Sequence, residues 1–215
     1  IKDNSLNFLS SEKDYKGEVN FKPFYFSTDL NFNYISQKKI FQSESLLLDL
    51  LDSELFNNPN LNASINININ QIDKFEYLKN FSSKINLSDG RIFMKDFKTL
   101  WNESVSINSN EVEFLNDIDG KKLVGEIIFN FDDIEKFFRY FQIKRNYRDV
   151  FETIRLDFVY DLTLDKLTMN NLRIDQKSSK KIDEFLNLYN KSENKSFNKV
   201  TIRNFIKEFF KIYAG

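Results

Sequence analysis

The stretch from Asn60 to Ile72 reads NLNASINININQI, and no other feature of the chain restricts its fold as tightly. Leu61, Ala63, Ile65, Ile67 and Ile69 alternate with Asn and Ser, and Ile72 closes the run. A repeat of two sends every second side chain to one side of an extended backbone, whereas a helix would scatter these isoleucines around its axis. The stretch is expected to be a strand, nine or ten residues of which would span roughly 30 Å at about 3.3 Å per residue. One face is apolar and the other carries only amides and hydroxyls. Uncharged Asn and Ser are satisfied by water, so that face is expected to be wet, without protein partners. The open question is what covers the isoleucines: a protein core, a second sheet, or a ligand.

The same alternation recurs along the chain. In GEVNFKPFYFSTDLNFNY, Val19 and Phe21 share a phase that slips at Lys22-Pro23 and resumes at Phe24, Phe26, Thr28, Leu30 and Phe32. This predicts one long strand with a bulge or corner at the proline. SKINLSDGRIFMKDF predicts a hairpin turning at Asp89-Gly90, which pairs Leu87 with Ile92 and Ile85 with Met94 on one face. SVSIN and EVEFL read as two further short strands. In KLVGEIIFNF, Leu123, Ile127, Phe129 and Phe131 hold one phase. Ile154, Leu156, Phe158 and Tyr160 form another strand, with a turn near Asp165-Lys166, then Leu167 and Met169, a bulge at Asn170-Asn171, and Leu172 and Ile174.

Helical spacing appears in four places. Leu48, Leu51 and Leu55 mark a helix at about 43–57, and Ile134, Phe137, Phe138 and Phe141 mark one at about 132–142, capped by Asp132 or Asp133. Ile182, Phe185, Leu186 and Tyr189 mark a third, and Ile202, Phe205, Ile206, Phe209, Phe210 and Tyr213 a fourth. Few helices separate the strands. The expected class is therefore mostly β with a few helices (α+β), an elongated antiparallel meander curled into an apolar groove. The meander would occupy residues 1–176, and a helical segment over 177–215 would pack on it or cap it.

Cys and His are both absent, which removes disulfides, thiolate nucleophiles, imidazole bases and imidazole or thiolate metal ligands. The 31 basic and 32 acidic residues nearly balance, so there is no charge footprint for nucleic acid. No run approaches the roughly 20 apolar residues of a membrane-spanning helix. The abundance of Asn, Lys and Ile suits an AT-rich genome, but base composition does not produce alternation. The first residue is Ile1 rather than Met, which reads as a piece of a longer protein whose N-terminal anchor lies outside it.

Catalytic constellations are not apparent. Asp117 and Asp119 before Gly120 lack the further ligands of a calcium loop and read as a turn. Asp132 and Asp133 stand where a helix wants caps, and five glycines make no phosphate cradle. Arg139, Lys144, Arg145 and Arg148, interleaved with aromatics, are candidates for a nucleic-acid or anionic-headgroup site, against the plainer reading of a solvated loop that the neutral overall charge favours. Trp101 reads as a packing residue. No metal ligand set and no cofactor are expected, and an enzyme would be confined to a carboxylate- or Ser/Lys-based hydrolase.

GEVNFKPFYFSTDLNF, the Leu-rich helix, the ININ strand, INLSDGRIFMKDFKTLWNES, LVGEIIFNFDDIEKFFRYFQIKRNYR and the closing NKVTIRNFIKEFFKIYAG together resemble, in strand order and texture, the C-terminal region of AsmA-like proteins. The resemblance is nearest to alphaproteobacterial members and carries no diagnostic motif. It implies a bacterial envelope protein anchored in the inner membrane, with a periplasmic β body whose groove takes phospholipid acyl chains between inner and outer membranes and supports envelope integrity. It carries over no catalytic residue. The groove candidates are Ile65, Ile67, Ile69, Ile85, Leu87, Ile92, Met94, Ile127, Phe129 and Phe131. The alternative is a structural module for outer-membrane protein biogenesis, with an envelope protein partner and an interior filled by its own side chains.

Overall fold

Strand pairing follows the chain, and that order builds two units, described here each by itself. A computed structural model describes residues 5–9, 15–21, 24–35, 60–73, 77–117, 120–164, 166–191 and 199–215. The fold is mostly β with helices, of the α+β class, and strand order follows chain order. One unit comprises Ile1–Asn102 with Ser109–Phe114, and the other Glu103–Asn108 with Leu115–Gly215. The helix expected at 43–57 and the turn at Ile118-Asp119 lie outside the described residues.

The first unit contains β1 (Ser5–Leu9), β2 (Tyr15–Phe21), β3 (Phe24–Ile35), β4 (Asn62–Ile72), β5 (Leu78–Ser88) and β6 (Arg91–Trp101), with the middle of β7 (Val105–Asp117). The expected long strand across Pro23 is instead two strands, because β2 and β3 pair antiparallel with Phe21 opposite Phe24. A two-residue connection slips the sequence phase by one, as a bulge does, while keeping Val19 opposite Phe26 on one face. From sequence the two devices look alike. β3 and β4 depart from the antiparallel expectation: they are parallel, with Asp29 beside Asn66 and Leu30 beside Ile67. Parallel neighbours need a long connection, and β3 and β4 are well separated in sequence, ending at Ile35 and starting at Asn62.

The Asp89-Gly90 hairpin forms as expected, with Leu87 opposite Ile92 and Ile85 opposite Met94. Its two turn residues have φ of 54° and 70°, the left-handed pair of a type I′ turn. SVSIN and EVEFL, expected as two strands, are parts of β7 alone. Val105 and Ser109, then Val112 and Phe114, are buried on either side of a phase slip that the strand absorbs without breaking.

The second unit contains β8 (Gly120–Phe131), β9 (Thr153–Asp161), β10 (Lys166–Ile174), α1 (Ile134–Phe141), a 3-10 turn (Arg145–Tyr147), α2 (Lys180–Lys191) and α3 (Lys199–Tyr213). Of the two candidate caps, Asp133 is the one that accepts a bond from the Lys136 N–H at 3.0 Å, and Gln142 ends α1 at φ 55°. β8, β9 and β10 pair antiparallel, with the expected bulge at Asn171, whose φ is 47°. The helices build an aromatic core. Phe210 of α3 stacks on Phe151 at 5.8 Å and meets Phe138 of α1 edge-on at 5.2 Å, while Phe185 of α2 lies 5.3 Å from Phe205. Asn190 of α2 closes the edge of β10: its amide nitrogen donates to the Met169 carbonyl at 2.7 Å, and its oxygen accepts from the Met169 N–H at 3.0 Å.

Candidate functional site

The register of the first unit assembles the isoleucines into transverse rows. Phe26, Ala63, Leu87 and Ile92 form one row and Thr28, Ile65, Ile85 and Met94 the next. Leu30, Ile67 and Ser83 follow, and then Phe32, Ile69 and Phe81. All seven first-unit candidates therefore lie on one face, in neighbouring rows. β3 adds Phe26, Leu30 and Phe32, which had the right phase but no known register until β3 was seen to run parallel to β4.

Burial along this face is uneven. In the end rows Ala63, Ile69, Leu87 and Ile92 are buried, Ile69 and Leu87 only 3% and 2% exposed, while Phe26, Phe32 and Phe81 are half-buried. Between them Leu30, Ile65, Ile67, Ile85 and Met94 are only half-buried. At the β2–β3 hairpin, Phe21 and Phe24 stand 45% and 41% exposed on the same face. Polar atoms entering the face are paired. Thr28 donates to the Lys16 carbonyl at 2.9 Å, Ser83 to that of Lys95 at 3.2 Å and Thr99 to that of Lys79 at 3.0 Å. The last two carbonyls adjoin bulges at Asp96 and Asn80, where the ladder is interrupted. The face can thus offer aliphatic surface without an exposed polar cost.

The opposite face is not simply wet. Asn66 donates to Asp29 at 2.6 Å, Asn68 to Asn31 at 2.9 Å and Asn70 to Asn33 at 2.9 Å, a ladder of side-chain bonds along the parallel pair. A parallel register places like-numbered rungs side by side, so each amide finds a partner at the same offset. The bond from Asn66, together with Lys16 at 3.1 Å, holds the Asp29 carboxyl below its ordinary range. Tyr34, in the phase of the apolar face at the end of β3, is bonded by the Asp73 carboxylate, which pushes the pKa of its hydroxyl up. The middle of the polar face dips into an open depression of about 520 Å³ reaching from Lys16 to Asp96.

The remaining candidates fall in the second unit. Ile127, opposite Leu156, and Phe129, opposite Ile154, are half-buried. The Phe131 ring lies 5.1 Å from both Phe137 and Phe151, within the aromatic core. Among the basic candidates, Arg148 is committed to the fold: it pairs with Glu135 at 3.0 Å, donates to the Ile143 carbonyl at 3.0 Å and lies over the Phe138 ring. Arg139, Lys144 and Arg145 are exposed. Among the described residues there is no group of three or more metal-ligating side chains, and no helix is long and apolar enough to cross a membrane. Comparison with family models, curated proteins and solved structures finds no match to the chain.

Proposed function

We propose that the chain is part of an AsmA-like envelope protein, and that the apolar face of β3–β6 receives phospholipid acyl chains in passage between inner and outer membranes. Its role is binding without catalysis or cofactor, in a periplasmic body anchored at the inner membrane. One observation carries the reading. Leu30, Ile65, Ile67, Ile85 and Met94 form a contiguous aliphatic surface left half-buried, continued by half-buried Phe26, Phe32 and Phe81 on the same face. A purely structural sheet would gain about 25 cal/mol for each Å² of this surface that it buried. Aliphatic side chains left partly open, on the face that carries exposed Phe21 and Phe24 at the β2–β3 hairpin, suit a ligand that comes and goes. In the second unit, taken by itself, Arg139, Lys144 and Arg145 are exposed basic groups open to an anionic headgroup.

The second reading, an assembly module with a closed interior, is favoured in the second unit by the packing of Phe131, Phe138, Phe151 and Phe210. Native mass spectrometry and lipid extraction of protein from a bacterial host separate the two. Copurifying phospholipid that falls in Ile67→Asp, with the fold retained, supports the acyl face. A folded, lipid-free wild type supports the closed module. Asn70→Asp on the other face is the control, since Asn66→Asp would set a second carboxylate against Asp29.

A further inference from the structure

The depression on the polar face of the first unit has no part in acyl-chain binding, yet its lining is organised. It crosses β2 to β6, four interstrand spacings or about 19 Å. Each strand contributes polar groups: Lys16, Asp29, Asn66, Ser82, Lys84 and Asp96 follow one another across it. Asn31 and Asn68 widen it along β3 and β4. In the ladder each Asn amide uses one N–H and each acceptor one lone pair, so donors and acceptors of every amide are left over. Lys16 and Asp29 are bound to each other. Lys84 and Asp96 are not: no ion pair joins them to one another or to any described neighbour, although they share the depression. Lys84 also faces Lys95 directly across the β5–β6 pair, an arrangement of like charges that a sheet tolerates at a cost. Asp96 is the extra residue of the β6 bulge, at φ 51°, and the bulge aims it into the depression.

These features narrow the ligand. Two ammonium groups and two carboxylates leave the lining without net charge, which argues against phosphate or a polyanion. No apolar side chain lines it, so it offers nothing to an acyl chain. Its open form buries too little of a small metabolite. An extended peptide is captured through backbone bonds at a sheet edge, and this is a face whose backbone groups are spent in the ladders. A chain of hydroxyl groups meets every condition, because each O–H can donate to a carboxylate or amide oxygen while accepting from an ammonium or amide N–H.

We infer that this depression is a binding site for a neutral oligosaccharide lying across β2–β6, with Lys84 and Asp96 supplying its uncommitted charge-assisted hydrogen bonds. Chitotriose and maltotriose are the probes, read by saturation-transfer NMR on the whole chain. Wild type should show transfer to at least one of them, and Lys84→Gln combined with Asp96→Asn should weaken it about tenfold, the loss expected for charge-assisted bonds. Asn tolerates the positive φ at 96, so that variant keeps the bulge. Ser82→Arg, which fills the depression from β5, should abolish transfer, and Lys211→Gln in the second unit should leave it unchanged. No transfer to either trisaccharide, equal transfer in the double variant, or displacement by inorganic phosphate would each overturn the assignment. The acyl-chain reading is untouched by these results, since Ile67→Asp lies on the other face.

Discussion

The two units solve one problem in two ways. Each presents amphipathic strands whose apolar side chains share a face. In the second unit helices close much of that face from within the unit: Ile182, Leu186, Phe209 and Phe210 are buried together with Phe138, Leu156 and Met169, while Ile127, Phe129 and Phe158 stay half-buried. In the first unit Ala63, Ile69, Leu87 and Ile92 are buried, while Leu30, Ile65, Ile67, Ile85 and Met94 stay half-buried. Alternation therefore tells which face is apolar but not how completely it is covered. That depends on whether amphipathic helices are available to lie on it, and in the second unit they follow the strands directly.

The largest effect should come from breaking the closed face. Phe210 is 1% exposed and surrounded by Phe137, Phe138, Phe151 and Phe209. Phe210→Ala should cost about 3–5 kcal/mol by removing the ring and leaving a cavity. Ile67→Ala, in the half-open face, should cost less than about half of that, because water already reaches the side chain. Urea denaturation measures both. Equal losses would mean that the first unit is as closed as the second, and the contrast would fall.

Next is the edge of β10. Asn190→Ala removes two hydrogen bonds at once and leaves the N–H and carbonyl of Met169 without their partner. A loss of about 2 kcal/mol is expected, with a greater tendency to self-associate through the bared edge. Light scattering together with the denaturation midpoint tests it. A midpoint within error of wild type would show that the amide contributes nothing to the closure of this unit.

The Asp89-Gly90 turn is the corresponding closure device of the first unit. A Cβ at Gly90 would meet nothing within 4 Å, so the cost of Gly90→Val is purely conformational, set by φ +70°. It should exceed about 1 kcal/mol, while Gly90→Asn should cost much less because Asn tolerates the left-handed region. Identical midpoints for Val and Asn would show that the strand pairs hold the turn, not the reverse.

How much of this was legible beforehand follows from range. The hairpin at Asp89-Gly90, the α1 cap, the Asn171 bulge and the helical stripes were readable because each is decided by residues within a few positions of one another. The β2–β3 hairpin was misread as a bulge because both slip the phase by one. The parallel β3–β4 register was invisible, since the partners lie 37 residues apart with nothing local to align them. That register makes the amide ladder, so a face read as merely hydrated turned out to be bonded. The depression beside it depends on β2, β3, β4, β5 and β6 at once, and no window of sequence contains them all.

The smallest effect probes that ladder, and it is a pH effect. The Asp29 carboxyl is held below its ordinary range first by the Asn66 amide and then by Lys16. A carboxyl depressed in the folded state stabilises at pH above its unfolded value, near about 4, and loses that contribution as pH falls through the folded value. Wild type should therefore exceed Asn66→Ala in stability near neutrality, and the gap should narrow below about pH 4. Asp133, also lowered by its bond from the Lys136 N–H, loses its contribution in the same direction, but it does so in both proteins and cancels from the difference. Asp29 is partly exposed, so the gap should be well under about 1 kcal/mol. A double-mutant cycle with Lys16→Ala separates the amide from the ion pair: 0.5 M salt should shrink the lysine's share and leave the amide's share intact. A gap that is flat from pH 7 to 2 would show that the rung at Asp29 is geometry without energy. The polar face would then be as passive as its sequence first suggested.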